Sequence, residues 1–397
     1  MQNFSFRNPT KILFGKGQIG SLDGEIPTNA RVMITYGGGS VKKNGVLDQV
    51  RAALGGRTVL EFPGIEPNPT YETLMRAVEL AHREDIDFLL AVGGGSVADG
   101  TKFIAAAIPF KEEPWDIVAE GTPLSEAIPF GVVLTLPATG SEMNSVAVIT
   151  RQATRDKLPF SSVLVYPRFS ILDPTTTYSL PARQTANGVV DAFAHVLEQY
   201  LTYPVNAAVQ DRFAEGLMLT LIEEGPKALA APEDYDVRAN IMWTATLALN
   251  GLIAAGVPED WTTHMIGHEL TALYGLDHAQ TLAVLYPATM AVCRAGKRGK
   301  LVQYARRVWG IDNPSDEAAI DEAIACTRDF FESLGVPTYL ADYGIEANAI
   351  PQVIDQLRRH GMVALGERKD VTPGVAEQMI ALCLKADRST GLNARAT

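Results

Sequence analysis

The stretch VMITYGGGS (residues 32–40) decides how this chain is read, and FLLAVGGGS (residues 88–96) repeats it. In each, a short, mostly apolar run leads straight into Gly-Gly-Gly-Ser. Runs of that length closed by glycines are strands buried on both faces of a sheet. Glycines where a strand gives way to a helix let backbone approach phosphate oxygens, and the helix start adds N–H groups and a favourable dipole. Open α/β sheets bind ligands outside the carboxyl ends of such strands. One triple glycine is explained as well by a tight bend. Two of them, both at strand ends, favour nucleotide binding by Gly37, Gly38, Gly39, Ser40, Gly94, Gly95 and Ser96. The second turn fits G-x-G-x-x-A loosely through Ala98, but no acid stands at the end of the strand that follows it, so the standard dinucleotide fingerprint is absent.

Outward from these turns, the first half alternates strand candidates (32–36, 59–62, 88–92, 132–136 and 170–172) with helical patterns such as 41–54 and 71–83. That alternation predicts a parallel sheet covered on both faces. After about residue 180 the strands stop, and helical patterns follow one another at 184–201, 207–224, 237–255 and 261–274. The second of these is expected to end before the breaker pair Gly225-Pro226. Asp173-Pro174 and Leu180-Pro181 mark the junction, giving an α/β domain over 1–180 and an all-helical domain over 181–397.

Composition narrows the function. The chain has 397 residues, 47% hydrophobic and 20% charged, which is enough for two globular domains with their own cores. A formal charge of −12 argues against nucleic acid and anionic membrane surfaces as partners. The three cysteines, Cys293, Cys326 and Cys383, are odd in number and form no CxxC, so they read as reduced thiols of a cytoplasmic protein. The start, MQNFSFRNPTKILFG, has no apolar signal core, which argues against export. The uncharged segment 239–258 is broken by Asn240, Asn250, Gly251 and Gly256, so it reads as a buried helix and not as a membrane span.

Cofactor type follows from the first turn. An acid there would accept from a ribose 2′-hydroxyl and repel a 2′-phosphate. Residues 36–40 hold none and are followed by Lys42 and Lys43, so NADP(H) is favoured over NAD(H). The plainer alternative, a solvated lysine pair at a helix start, sets two cations against the helix dipole.

Asp191 and His195 stand four apart in a helical pattern, on one face, roughly opposite the apolar stripe of Val190, Phe193, Val196, Leu197 and Tyr200. Alone, the pair is as well explained by a solvated helix face. His264 and His268 repeat the spacing, and His278 follows at the start of the next helix. Imidazoles with a carboxylate suit a divalent ion of the zinc or ferrous type, although spacing does not decide which histidines are ligands. HExxH fails at Ala272. Between residues 239 and 293 there is no lysine or arginine, so an uncharged, compact substrate fits better than a phosphorylated one.

With these residues the chain resembles the iron-containing (group III) alcohol dehydrogenases, in particular the bacterial NADPH-dependent aldehyde reductase and butanol dehydrogenase branch. The matching motifs run nearly end to end: FGKG (14–17), YGGGSVKKNG (36–45), GIEPNP (64–69), GGGSVADGTK (93–102), LPATGSE (136–142), NGVVDAFAHVLEQY (187–200) and HMIGHELTALYGLDHAQTLA (264–283). The resemblance implies a Rossmann-like N-terminal domain and an all-α C-terminal domain, the fold shared with dehydroquinate synthase, with the active site in the cleft between them. It implies the metal ligands Asp191, His195, His264 and His278, with iron or zinc, and leaves His268 as a nearby non-ligand. It also implies cofactor contacts at Gly37, Gly38, Gly39, Ser40, Asn68, Gly94, Gly95, Ser96, Asp99, Thr135, Thr139, Lys157 and Tyr178, to which the charge argument adds Lys43. Family members are commonly dimers, so a homodimer is expected.

The chemistry expected is hydride transfer between nicotinamide and a small aldehyde or primary alcohol, with the metal as Lewis acid. His268 is the candidate proton relay. An NAD-dependent polyol dehydrogenase, a lyase resembling dehydroquinate synthase and a non-enzymatic nucleotide-binding module are the alternatives. The missing cations around the helical histidines count against the lyase.

Overall fold

The structure is a computed structural model that describes residues 1–384; residues 385–397, the tail of the expected helical half, lie outside the described residues. By packing, the chain divides into two compact units, Met1–Glu259 and Asp260–Thr397.

The first unit opens with β1 (Lys11–Phe14), α1 (Leu22–Glu25), β2 (Arg31–Tyr36), α2 (Ser40–Lys43), α3 (Val46–Leu54) and β3 (Thr58–Phe62). There follow α4 (Tyr71–Arg83), β4 (Phe88–Gly94), α5 (Gly95–Ala107), α6 (Asp116–Ala119) and β5 (Phe130–Leu136). A hairpin of β6 (Val146–Arg151) and β7 (Asp156–Ser161) precedes β8 (Phe169–Leu172), and α7 (Ala182–Tyr200), α8 (Ala208–Ala230) and α9 (Tyr235–Ala248) complete the unit. Six strands form one parallel sheet in the order β1-β8-β5-β4-β2-β3. The α/β expectation for the first half therefore holds.

Strand periodicity explains why both faces are covered. Val32, Ile34 and Tyr36 pack on one side with Val46, Leu47, Val50 and Leu54, while Met33, Leu89 and Ala91 pack on the other with Leu74, Ala77 and Phe103. Each valine, leucine, isoleucine, methionine or phenylalanine among them, fully buried, contributes about 1.5–3 kcal/mol of transfer free energy. The chain leaves β2 for β3 on one side and returns to β4 on the other, so β2 and β4 flank the point where strand order reverses. Tyr36 pairs with Val92 in register, so the two glycine turns emerge side by side there. That is where open α/β sheets take their ligands.

Three local expectations are corrected. The helix over 41–54 is broken at Asn44-Gly45, where Gly45 has φ +79°. α8 runs through Gly225-Pro226 to Ala230, because Pro226 is on the exposed side and the carbonyl that it leaves unbonded can meet water. α9 stops at Ala248 and not near residue 255, since Gly251 and Gly256 take positive φ.

Among its described residues the second unit is built of α10 (Thr262–Tyr274), α11 (His278–Val292), α12 (Arg294–Arg307), α13 (Asp316–Ser333), α14 (Ala349–Arg359) and α15 (Pro373–Leu382), with one antiparallel bridge between Leu365 and Val371. Ile266 and Leu270 of α10 and Val284, Leu285 and Ala288 of α11 join residues of α14 and α15 in one core. Among the described residues no helix is long and apolar enough to cross a membrane.

Candidate nucleotide turns and metal centre

The first turn is open: a Cβ on Gly38 or Gly39 would meet nothing within 4 Å, and Gly39 sits at φ +100°. The second is tight. A Cβ on Gly95 would lie 2.3 Å from Thr139 Oγ1 and 2.6 Å from Thr139 Cγ2, so only glycine lets the start of α5 lie against the loop after β5. Gly94 caps α5, a helix of 13 residues, with no side-chain hydrogen bond to its first N–H groups.

Side chains far apart in sequence meet beside this helix start. Lys157, buried in the hairpin, donates from Nζ to Asn68 Oδ1 at 2.7 Å. Asn68 takes the left-handed conformation (φ 59°), and its N–H donates to Ser96 Oγ at 3.4 Å. Asp99 is engaged by its own chain, accepting from Ser141 Oγ at 2.5 Å and from Val148 N–H at 3.0 Å. Thr135 ends the buried part of β5, and Tyr178 closes the turn Pro174–Thr177, which the Thr176 hydroxyl ties to Leu134 O at 2.8 Å. Lys43 is exposed on α2.

Asp191 and His195 lie on α7, whose residues from Gly188 to Tyr200 are all buried; each of the two is only 3% exposed. A solvated face is thereby excluded. His195 Nδ1 is 3.8 Å from Asp191 Oδ1. α7 lies close to the loop after β5: a Cβ on Gly188 would be 2.4 Å from the Pro137 carbonyl oxygen. Burial pushes the Asp191 carboxyl up to about 8, against the pull of the Lys157 ammonium. Burial lowers Lys157 to about 8, opposed first by Asp191 and then by Asp99.

In the second unit, Asp277 and Gln280 form a capping box, with Asp277 N–H donating to Gln280 Oε1 at 2.9 Å, and this fixes His278 as the first residue of α11. The rings of His264 and His278 stand 5.1 Å apart, centroid to centroid, and those of His268 and His278 5.4 Å. Gly267 permits this approach, because a Cβ there would fall 2.6 Å from Thr281 Oγ1. Asp191 and His195 in the first unit, and His264 and His278 in the second, each offer one ligand atom to a candidate metal group. His268 is not of this group. Three imidazoles and one carboxylate, mostly buried, are a donor set that fits a zinc or ferrous ion.

Two family models match the chain, iron-containing alcohol dehydrogenase over residues 9–174 and the C-terminal region of the Fe-containing alcohol dehydrogenase family over residues 185–385. The chain belongs to the iron-containing alcohol dehydrogenase family. Within the family it is 62% identical to the NADPH-dependent aldehyde reductase YqhD of Escherichia coli, over 96% of this chain and 99% of that protein. It is 43% identical to a probable NADH-dependent butanol dehydrogenase of Bacillus subtilis, over 91% of this chain and 95% of the relative. A crystal structure of Escherichia coli YqhD superposes with TM-score 0.95 at 61% identity, covering 96% of this chain and 99% of that one. NADH-dependent butanol dehydrogenase A from Thermotoga maritima gives TM-score 0.94 at 36% identity, covering 97% and 99%.

Several residues of this family member carry no obvious functional signal in sequence. Gly188 and Gly267 read as helix-weakening glycines until their neighbours are known. Lys102, fully buried, donates to Asn144 Oδ1 at 2.8 Å and to Val146 O at 2.7 Å, and so holds the hairpin that carries Lys157. Glu61 is a further case. It stands near the end of the strand that follows the first glycine turn, a position at which an acid has meaning.

Proposed function

We propose that this chain is a metal-dependent NADP(H) alcohol dehydrogenase working as a reductase of small aldehydes. One observation carries the reading: the buried Asp191–His195 pair on α7, and the neighbouring His264 and His278 rings of the second unit, supply the carboxylate and three imidazoles that a divalent ion takes. The 62% identity to an enzyme named for NADPH-dependent aldehyde reduction supports it. Residues 1–180 form its dinucleotide-binding domain and residues 181–397 its metal-binding domain.

The four donors would hold one iron or zinc ion, which would supply Lewis acidity toward a carbonyl oxygen. Gly37, Gly38, Gly39, Ser40, Gly94, Gly95 and Ser96 bring backbone N–H groups to the cofactor phosphates, and Lys43 adds charge for a 2′-phosphate. Asn68 and Lys157 fix one another against Ser96, with Thr135, Thr139 and Tyr178 completing the cofactor contacts and Asp99 steadying them through Ser141. A bound nicotinamide cofactor would supply the hydride that reduces a carbonyl carbon, with one proton taken up at the carbonyl oxygen. His268, buried beside His278, offers a ring nitrogen for that proton. Three free cysteines suit a reducing cytoplasm, and a homodimer is the assembly proposed.

The test is a panel of short aldehydes with NADPH against NADH, on enzyme of measured metal content. Aldehyde reduction preferring NADPH, lost together with the metal in Asp191→Ala or His195→Ala, is the expected result. An active variant without bound metal refutes the ligand set. Stoichiometric cofactor binding with no turnover points to a binding module instead.

A further inference from the structure

In NAD-binding βαβ units, the strand after the glycine turn and its helix ends in an acid that accepts from the ribose 2′-hydroxyl and repels a 2′-phosphate. This chain has an acid in that position. Glu61 is the penultimate residue of β3, which follows the first glycine turn, α2 and α3 and pairs in parallel with β2. Its carboxylate is occupied on both oxygens. Oε1 accepts from Arg51 Nε at 2.7 Å and faces Arg51 Nη2 at 2.6 Å, while Oε2 accepts from the Tyr36 hydroxyl at 2.9 Å. Arg51 lies on α3, and Tyr36 is the last residue of β2, immediately before Gly37. Lys42, from the far side of the turn, places its ammonium 5.1 Å from the Tyr36 ring centroid.

We propose that Arg51 and Tyr36 form a clasp that silences Glu61, and that the clasp determines selectivity for the phosphorylated cofactor. The inference rests on the NADP(H) reading above. With its acceptors filled and a guanidinium against it, which is shared with the exposed Asp48 (Arg51 Nη1 to Asp48 Oδ1, 2.8 Å), Glu61 neither recruits a 2′-hydroxyl nor opposes the field of Lys42 and Lys43 at the turn. Arg51 and Glu61 are part-exposed, with side chains 45% and 25% accessible, so their pairing adds little to folding stability. Breaking it therefore changes selectivity without unfolding the chain.

Arg51→Ala leaves the carboxylate charged and open. The expected result is an NADPH KM raised about tenfold, a NADH KM unchanged or lower, and an unchanged kcat with either cofactor at saturation. Adding Glu61→Gln to Arg51→Ala removes the charge released at the strand end, leaving only the solvated Asp48 unpaired from Arg51, and returns the NADPH KM to within about twofold of the original. Melting temperatures of both variants are measured alongside to confirm folding. If Arg51→Ala leaves the NADPH-to-NADH preference where it was, the clasp is overturned. A double variant as poor with NADPH as Arg51→Ala also overturns it, because Arg51 then serves the phosphate itself. An unsubstituted enzyme that does not prefer NADPH overturns the NADP(H) reading and the clasp with it.

Discussion

Replacing Gly188 by alanine tests how the metal helix is held. Gly188 lies on α7, less than one turn before Asp191 and two turns before His195. Its added Cβ would sit 2.4 Å from the Pro137 carbonyl oxygen, where contacts under 3.0 Å are essentially never found, so this contact must open by about 0.6 Å. The obstacle is backbone, which has no rotamer to escape into. Metal–ligand distances tolerate only about 0.2 Å, so on the ligand set proposed above a helix shifted by that much moves Asp191 and His195 out of range. Overpacking of this kind costs about 1–3 kcal/mol, offset by up to about 1 kcal/mol of helix preference for alanine over glycine. The net loss is then on the order of 0–2 kcal/mol, and melting falls by up to roughly 8 °C. Metal affinity, measured by competition with a chelator, falls about 10- to 100-fold. The reasoning is refuted by a Gly188→Ala protein that melts higher than the original and binds metal equally well, since helix preference would then act unopposed.

Gly95→Ala drives a Cβ into three atoms of Thr139, at 2.3, 2.6 and 3.0 Å, so the NADPH KM should rise about tenfold or more with metal content unchanged. Cofactor titration by fluorescence checks it. His268→Ala should keep its metal and lose about 10²-fold or more in turnover; turnover and a pH profile like the original would remove the relay. Burial lowers the Lys102 ammonium from 10.5 to about 8, against the pull of Asp99 and Glu142. Between those values the folded chain binds fewer protons than the unfolded one, so stability rises with pH across that window, and the full penalty of about 3 kcal/mol applies below it. Urea midpoints at pH 8 and 10 should rise less steeply in Lys102→Met than in the original, and equal slopes would contradict the assignment. Lys157, lowered for the same reason, keeps part of the slope in both proteins.

The two glycine turns and the parallel sheet were legible in sequence because each depends on near neighbours. A strand period of two and a run of glycines show within nine residues. The Asp–His and His–His spacings were legible for the same reason, since a helix puts residues four apart on one face. Helix ends were less so. Asn44-Gly45 broke a helix that periodicity joined, while Pro226 failed to end one, because solvent on that side of α8 takes the orphaned carbonyl.

What only the tertiary structure decided are the meetings between distant segments. The sequence offered five candidate donors, and only the structure buries Asp191 and His195 on α7 and sets the His264 and His278 rings 5.1 Å apart on α10 and α11. Lys157 meets Asn68 across 89 residues only because a hairpin returns to the sheet. Gly188 and Gly267 are required by atoms of Pro137 and Thr281, on other elements, which no local pattern contains. Glu61 is likewise an ordinary strand residue until Arg51 and Tyr36 close on it. Local propensity is written over a few residues, whereas the position of a side chain is fixed by how whole elements pack, and that lies beyond any short window of sequence.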